Sequence, residues 1–304
     1  MPKSRAPESR LPESPLRESR VAVRKTYKLY IGGAFPRSES GRSYVVSSPD
    51  GRPLANAALA SRKDLRDAVV AARKAQPGWA AATAYLRGQV LYRVAEMLEG
   101  RRAQFVESLV MGEGLTLEAA SASVDASVDR VVWYAGWADK LAQVAGSANP
   151  VAGPYFNFSI PEPTGVVGVL APQASSLLGL LSVVAPVITS GNAAVVVASE
   201  AHPLPALDLA EVLATSDLPG GVVNILSGRS AELAPVLAAH RDVEAIDLAG
   251  SPEGLDARLE EAAADNVKRV LRRGQPAPDW SAEPGPERML FFVEIKTVWH
   301  PLGV

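Results

Sequence analysis

The stretch Glu162-Pro163-Thr164-Gly165-Val166-Val167-Gly168-Val169-Leu170-Ala171-Pro172-Gln173-Ala174-Ser175-Ser176 decides the fold. Its apolar run over 166–170 opens on a glycine and closes on a proline, the pattern of a short strand buried on both faces. A helical pattern over 177–189 follows, and the unit then repeats. Apolar runs at 194–198, 222–226, 245–248 and 267–271 alternate with helical spacing over 203–214, 230–240 and 253–264. Alternating short strands and helices predict an α/β fold: a doubly wound, Rossmann-like parallel sheet with helices on both faces. Ligands of such sheets sit beyond the carboxyl ends of the strands. The turns at 172–176, 199–200, 227–228 and 250–251 are therefore the places to look for a site.

Upstream of this stretch the period is helical. Ser61, followed by Asp64, opens an amphipathic helix that Pro77-Gly78-Trp79 is expected to end. Further helices are expected over 85–98, 103–111 and 124–144, the last holding Trp133 and Trp137. Before them, 27–31 and 43–47 are β-rich and read as an extended hairpin, and a strand is expected over about 155–160. Residues 1–26 alternate charge with proline and are expected to be a disordered tail. Residues 275–288, with Pro276, Pro278, Pro284 and Pro286, read as a linker. The segment 289–304 carries a closing strand over 289–298, with no partner strand near it in sequence.

The chain has 304 residues with 31 Lys+Arg against 33 Asp+Glu, a net charge of −2, and 47% apolar residues. That balance offers no field for nucleic acid or an anionic membrane surface. No charge occurs from Pro163 to Ser199, yet Pro172, Pro186 and Gly191-Asn192 interrupt the run, so a buried core is expected there and not a membrane span. A cytoplasmic location is the expectation. The chain has no cysteine, which excludes disulfides, thiolate metal sites and a cysteine nucleophile within it. His202, His240 and His300 are scattered, and no metal site is expected.

The order Glu162-Pro163-Thr164-Gly165, Ser190-Gly191-Asn192, Ser199-Glu200, Leu218-Pro219-Gly220-Gly221, Gly228 and Gly250-Ser251 closely resembles the cofactor-binding half of the aldehyde dehydrogenase superfamily. Tyr30-Ile31-Gly32-Gly33, Tyr134-Ala135-Gly136-Trp137 and the 292–298 segment resemble further parts of it. The resemblance implies a cofactor-binding domain over 27–274, and a second domain bearing the nucleophilic cysteine between it and the terminal strand. Here 275–288 stands in that place, too short for a domain. The family's Trp-Asn after Pro172, which helps hold the oxyanion, reads Gln173-Ala174. A donor of that kind is worth roughly 3–4 kcal/mol. Where the family's general-base glutamate is expected, the chain offers Arg272-Arg273.

For cofactor, the family's Lys-Pro-Ser-Glu reads Val197-Ala198-Ser199-Glu200. The resemblance implies vestigial cofactor-binding residues Pro172, Gln173, Ala174, Ser199, Glu200, Gly228, Gly250 and Ser251. Weak NAD or NADP binding is the expectation, with no cofactor required and no catalytic residue. Glu200 reads equally as a helix cap, and Gly250-Ser251 as a turn and N-cap. In the family the entry hairpin and terminal strand form an arm that extends a neighbouring subunit's sheet. The expected function is a catalytically inactive subunit, docking through 27–48 and 289–298 on a full-length NAD(P)-dependent aldehyde dehydrogenase as a hetero-oligomer. A residual NAD(P)-dependent oxidoreductase and a self-pairing homodimer are the alternatives.

Overall fold

A computed structural model describes residues 23–274 and 276–303. Most of the expected tail, 1–22, lies outside the described residues. The N-terminal strands are β1 (Thr26–Tyr27), β2 (Ser43–Ser47) and β3 (Pro53–Ala58). Helices α1 (Arg62–Ala81), α2 (Ala84–Glu99), α3 (Arg102–Glu113), α4 (Leu117–Trp137) and α5 (Leu141–Ala145) follow. Strands β4 (Ser147–Asn149) and β5 (Tyr155–Pro163) lead into the α/β units β6 (Val166–Leu170), α6 (Leu178–Thr189), β7 (Ala193–Val197), α7 (Leu204–Leu213), β8 (Val223–Leu226), α8 (Ser230–Ala239), β9 (Ala245–Asp247), α9 (Asp256–Ala264) and β10 (Arg269–Leu271). A single turn α10 (Glu287–Phe291) and β11 (Val293–Pro301) close the described chain.

The five-stranded sheet is parallel throughout, in the order β10-β9-β6-β7-β8, and the doubly wound class stands. Alternate residues of each strand feed two cores, because successive side chains point to opposite faces. Val166, Leu170, Val195 and Ile246 pack against Leu65 and Val69 of α1, Leu233 and Leu237 of α8, and Leu259 of α9. Val167, Val169, Val196 and Ile225 face Leu180 and Val184 of α6 and Leu207 of α7, with α2–α4 stacked behind.

The capping box at Ser61 and Asp64 forms as read: the Ser61 hydroxyl accepts from the backbone of Lys63 and Asp64, and Asp64 accepts from the Ser61 N–H. Pro77 does not end α1, which runs on to Ala81. A proline inside a helix costs about 3 kcal/mol, and the burial of Trp79 works against that cost. Trp79 is 2% exposed, and its indole N–H donates to the Ile188 carbonyl at 2.8 Å. A tertiary anchor, invisible to local reading, holds the last turn.

Two larger corrections concern β structure. The expected hairpin 27–31 with 43–47 does not form. β2 pairs antiparallel with β3, and β1 pairs parallel with β3. Tyr30 instead bridges Ile225 at the edge of the main sheet, with N–H to carbonyl bonds of 3.0 and 2.8 Å. Leu29 and Tyr30 are fully buried there, so the 27–48 segment belongs to the body and not to an arm. The arm is the sheet β11-β5-β4, in which β11 matches β5 antiparallel along its full length, from Val293↔Pro163 to Pro301↔Tyr155. The closing strand starts later than expected, because 287–291 coil into α10.

The segment read as a linker is docked. Arg130 of α4, buried, donates to Ser182 Oγ at 2.6 Å and to the carbonyls of Trp280 and Ala282 at 2.8 Å each. Arg288 pairs with Asp247, which is fully buried at the end of β9, and its guanidinium lies 5.5 Å from the Trp280 ring centroid. The Phe292 carbonyl accepts from Asn192 Nδ2 at 2.8 Å and from Thr164 N at 3.2 Å, fixing the root of β11 to the root of β6.

Candidate functional site

The parallel strands β6 to β9 place the four turns that follow them at one end of the sheet. Strand β6 runs toward Ala171 at the centre, where the strand order reverses between β6 and β9. The turns after β6, β7, β8 and β9 meet at this switch point, as the sequence indicated. Of the expected site residues, Gln173, Ser199, Glu200 and Gly250 come together. They do so by bonding to one another.

Gln173 is the knot. Its side-chain amide N–H donates to the carbonyls of Ala171 at 3.1 Å and Gly250 at 3.4 Å, and its amide oxygen accepts from Glu200 N at 2.9 Å. Its backbone carbonyl accepts from Ser199 Oγ at 2.8 Å, and Ser199 Oγ in turn accepts from His202 N at 3.1 Å. The residue standing where an oxyanion donor was sought thus ties three turns together. Pro172 is buried against Gly179, while Ala174 is exposed and without a role. Beside it Ser175 adopts a φ of +60°, a region that L-residues other than glycine seldom occupy. Ser176, 2% exposed, donates through both N and Oγ to Glu113 Oε1 of α3.

Gly250 packs so tightly that a Cβ would run into the Ala171 carbonyl. Gly250 and Ser251, among the cofactor-binding residues that the resemblance implies, offer no free N–H groups at a helix start. Gly250 N donates to Leu170 O at 2.8 Å and Ser251 N to Leu248 O at 3.0 Å. Helix α9 begins only at Asp256, which puts a carboxylate into its first turn. Gly228, with φ +154°, lets the turn after β8 approach Ala60, whose N would lie 3.2 Å from an added Cβ.

Glu200 is engaged on both oxygens. Arg229 Nη1 donates to Oε1 at 2.6 Å, and the Ser230 N–H at the start of α8 donates to Oε2 at 2.9 Å. It is a helix cap, one of the two roles its sequence allowed. Around this pair lies a cleft of about 590 Å³ between β2 and the turns, lined by Tyr44, Val46, Gln173, Glu200, Arg229 and Ser230. The Arg229 guanidinium sits 5.8 Å from the Tyr44 ring centroid. Burial, and then the Glu200 carboxylate, push the Tyr44 hydroxyl well above its usual range. The bond to Glu200 holds Arg229 more firmly protonated still.

Sequence reading missed Tyr44, Arg229 and Ser230. The turn Gly228-Arg229-Ser230 was visible as a strand end, but which donor would claim Glu200 was not.

These residues do not fit a dinucleotide in the mode that the resemblance implies. The backbone donors at 250–251 are taken, Pro252 has none, and Glu200, which the resemblance makes the acceptor for the cofactor's ribose hydroxyls, is already satisfied on both oxygens. Among the described residues no group of three or more His, Asp or Glu is placed to hold a metal ion, and no helix is long and apolar enough to cross a membrane.

Residues 35–273 match the sequence profile of the "Aldehyde dehydrogenase family". Retinal dehydrogenase 2 of Gallus gallus is 34% identical over 262 residues, covering 84% of this chain and 50% of its own length. Cytosolic 10-formyltetrahydrofolate dehydrogenase of Mus musculus is 33% identical over 269 residues, covering 85% of this chain and 29% of its own. The chain thus spans half or less of these relatives. Among solved structures, HpcC from Thermus thermophilus superposes with a TM-score of 0.76 at 27% identity, over 81% of this chain and 47% of that one. The NAD+ complex of aldehyde dehydrogenase from Bacillus cereus gives 0.76 at 25% identity, over 81% and 50%.

Proposed function

The chain belongs to the aldehyde dehydrogenase family, and from that premise we propose that it is a non-catalytic member. In this reading it docks through the β11-β5-β4 sheet on a full-length NAD(P)-dependent aldehyde dehydrogenase, to stabilise or regulate it, and needs no cofactor of its own. The observation that carries the reading is the outer edge of β11. This strand is paired along one side only; among the described residues nothing pairs with the other. Ile295 and Trp299 on it are more than half exposed, and Phe156 of β5 is 49% exposed. A nine-residue free edge with aromatic side chains is a template for strand addition, and left bare in water it invites aggregation.

The chemistry supports the non-catalytic half. Oxidation of an aldehyde through a thiohemiacetal needs a thiolate nucleophile, and these 304 residues contain no cysteine. Gln173 is bound into the turns, and Arg272 pairs with Glu260 where a carboxylate base was sought. Docking now rests on the β11-β5-β4 sheet without 27–48, which is committed to the body.

Affinity purification and native mass spectrometry from cells expressing both chains test the proposal. Co-migration with a full-length aldehyde dehydrogenase, lost on Trp299→Ala together with Ile295→Lys, is expected. Separate migration overturns it, and so does a stable homodimer of the isolated chain in size-exclusion chromatography with light scattering. Oxidation of simple aldehydes by the purified chain, with NAD or NADP consumed, would overturn the non-catalytic reading.

A further inference from the structure

At the end of the sheet opposite the four turns, Lys268 enters the fold just before β10. It is 7% exposed, the one buried lysine among the described residues. Lys25, Lys63, Lys140 and Lys296 each pair with a carboxylate, whereas Lys268 pairs with none among the described residues. Its amine donates instead to two neutral acceptors, the His240 carbonyl at 2.5 Å and Asn266 Oδ1 at 2.8 Å. Asn266 is held in that orientation, because its Nδ2 donates to the Arg241 and Val243 carbonyls at 3.2 and 3.3 Å. Glu244, before β9, is already held by Arg73 and by the Val166 N–H. Burial pushes the Lys268 amine down to about 8, with Glu244 and Asp242 working against the fall. His240, Arg66 and Arg73 complete the charged surroundings.

The loop that carries Lys268 closes α9 with the two bonds of a Schellman cap. Val267 N donates to Ala264 O and Lys268 N to Ala263 O, at 3.1 Å each. The left-handed position of such a cap usually belongs to glycine; here it is Val267, at φ +59° and 89% exposed. A β-branched residue is strained there, so this cap opens more readily than a glycine cap would.

We propose that Lys268 is a modification site that takes acyl groups from acyl phosphates when the Val267 cap opens. The nitrogen lone pair attacks the acyl carbon, the C–O bond to phosphate breaks, inorganic phosphate leaves with the bonding pair, and the amine's proton passes to water. The product suits its surroundings. A neutral amide keeps one N–H for Asn266 or His240 and removes a buried charge that has no counter-charge. An aldehyde would leave an imine that takes up a proton and restores the charge. Arg66 and Arg73, close to His240, offer the departing phosphate a positive field. The site needs neither the turns at 171–176 and 199–200 nor the edge of β11, so it and the docking proposal can fail separately.

The test incubates the full chain with acetyl phosphate at about pH 8 and reads occupancy at each lysine by peptide mass spectrometry, with exposed Lys74 as the standard within each sample. Lys268 is expected to be acetylated about tenfold faster than Lys74, because a buried lysine keeps more of its amine unprotonated. Its rate should climb with pH and level off above about 8. Labelling of Lys268 no faster than Lys74 overturns the proposal, as does a Lys268 rate still climbing at about pH 9.5. Val267→Gly, which suits the left-handed position, should slow Lys268 severalfold and leave Lys74 unchanged; an unchanged Lys268 rate overturns access through the cap. An unfolded chain would label both lysines alike, so misfolding cannot imitate the expected result.

Discussion

Two small three-stranded sheets flank the main one, and they meet opposite fates. In β1-β3-β2 the connecting segment turns inward: Leu29 and Tyr30 are buried, and Tyr30 closes the open edge of β8 through two backbone bonds. In β11-β5-β4 the longest pairing of the molecule stands away from the core, with Tyr155, Phe156, Ile295 and Trp299 facing water. Both are rich in apolar and aromatic residues. The difference lies in whether an unpaired backbone edge is available within the chain, because an edge is the one thing that side-chain composition cannot supply. The first sheet finds β8. The second finds none among the described residues.

The sharpest way to break the contrast is to treat the two sheets alike. Tyr30→Ala should destabilise the fold by about 3–5 kcal/mol in urea denaturation, the cost of emptying a buried aromatic site. Arg288→Ala, at the root of the outer sheet, should cost about 3 kcal/mol, because the fully buried Asp247 loses its counter-charge. An unchanged midpoint would mean that the root does not depend on that pair.

The pH profile refines the same point. Burial raises the Asp247 carboxyl above its usual value, with Arg288 working against the rise. The folded state therefore holds that proton more tightly than the unfolded chain. The resulting stability is full below about pH 4 and is lost as pH rises through the folded value, by less than about 1.4 kcal/mol per pH unit. In Arg288→Ala the loss should extend to higher pH than in the parent, read by denaturation midpoints across pH 4–7. Smallest in stability is Trp299→Ala, within about 0.5 kcal/mol because the side chain is exposed. A larger loss would show that the outer sheet is packed more like the inner one than its exposure indicates.

What the sequence disclosed follows from how local each cause is. Strands β6 to β9 were legible because short apolar runs recur between helical patterns, and their turns marked the end where a site would lie. The overrun of α1 past Pro77 was not, since Trp79 is held by Ile188 from another element. The pairing of 43–47 with 53–58 was missed for a different reason: Pro53 opens the second strand and masks its β character. At the site, Glu200 was legible as a polar strand end. That Arg229 would claim one of its oxygens, and that Gln173 would bind three turns, depends on distances between turns that no spacing encodes.

Arg130 grips the 276–288 segment by the carbonyls of Trp280 and Ala282, not by their side chains. A clasp of this kind reads chain length and is nearly blind to spelling. Substitutions at 281 or 283 should pass unnoticed, whereas inserting or deleting one residue between 280 and 282 shifts the carbonyls out of the fork. The exposed letters around 281 and 283 are thereby free to change so long as the count is kept.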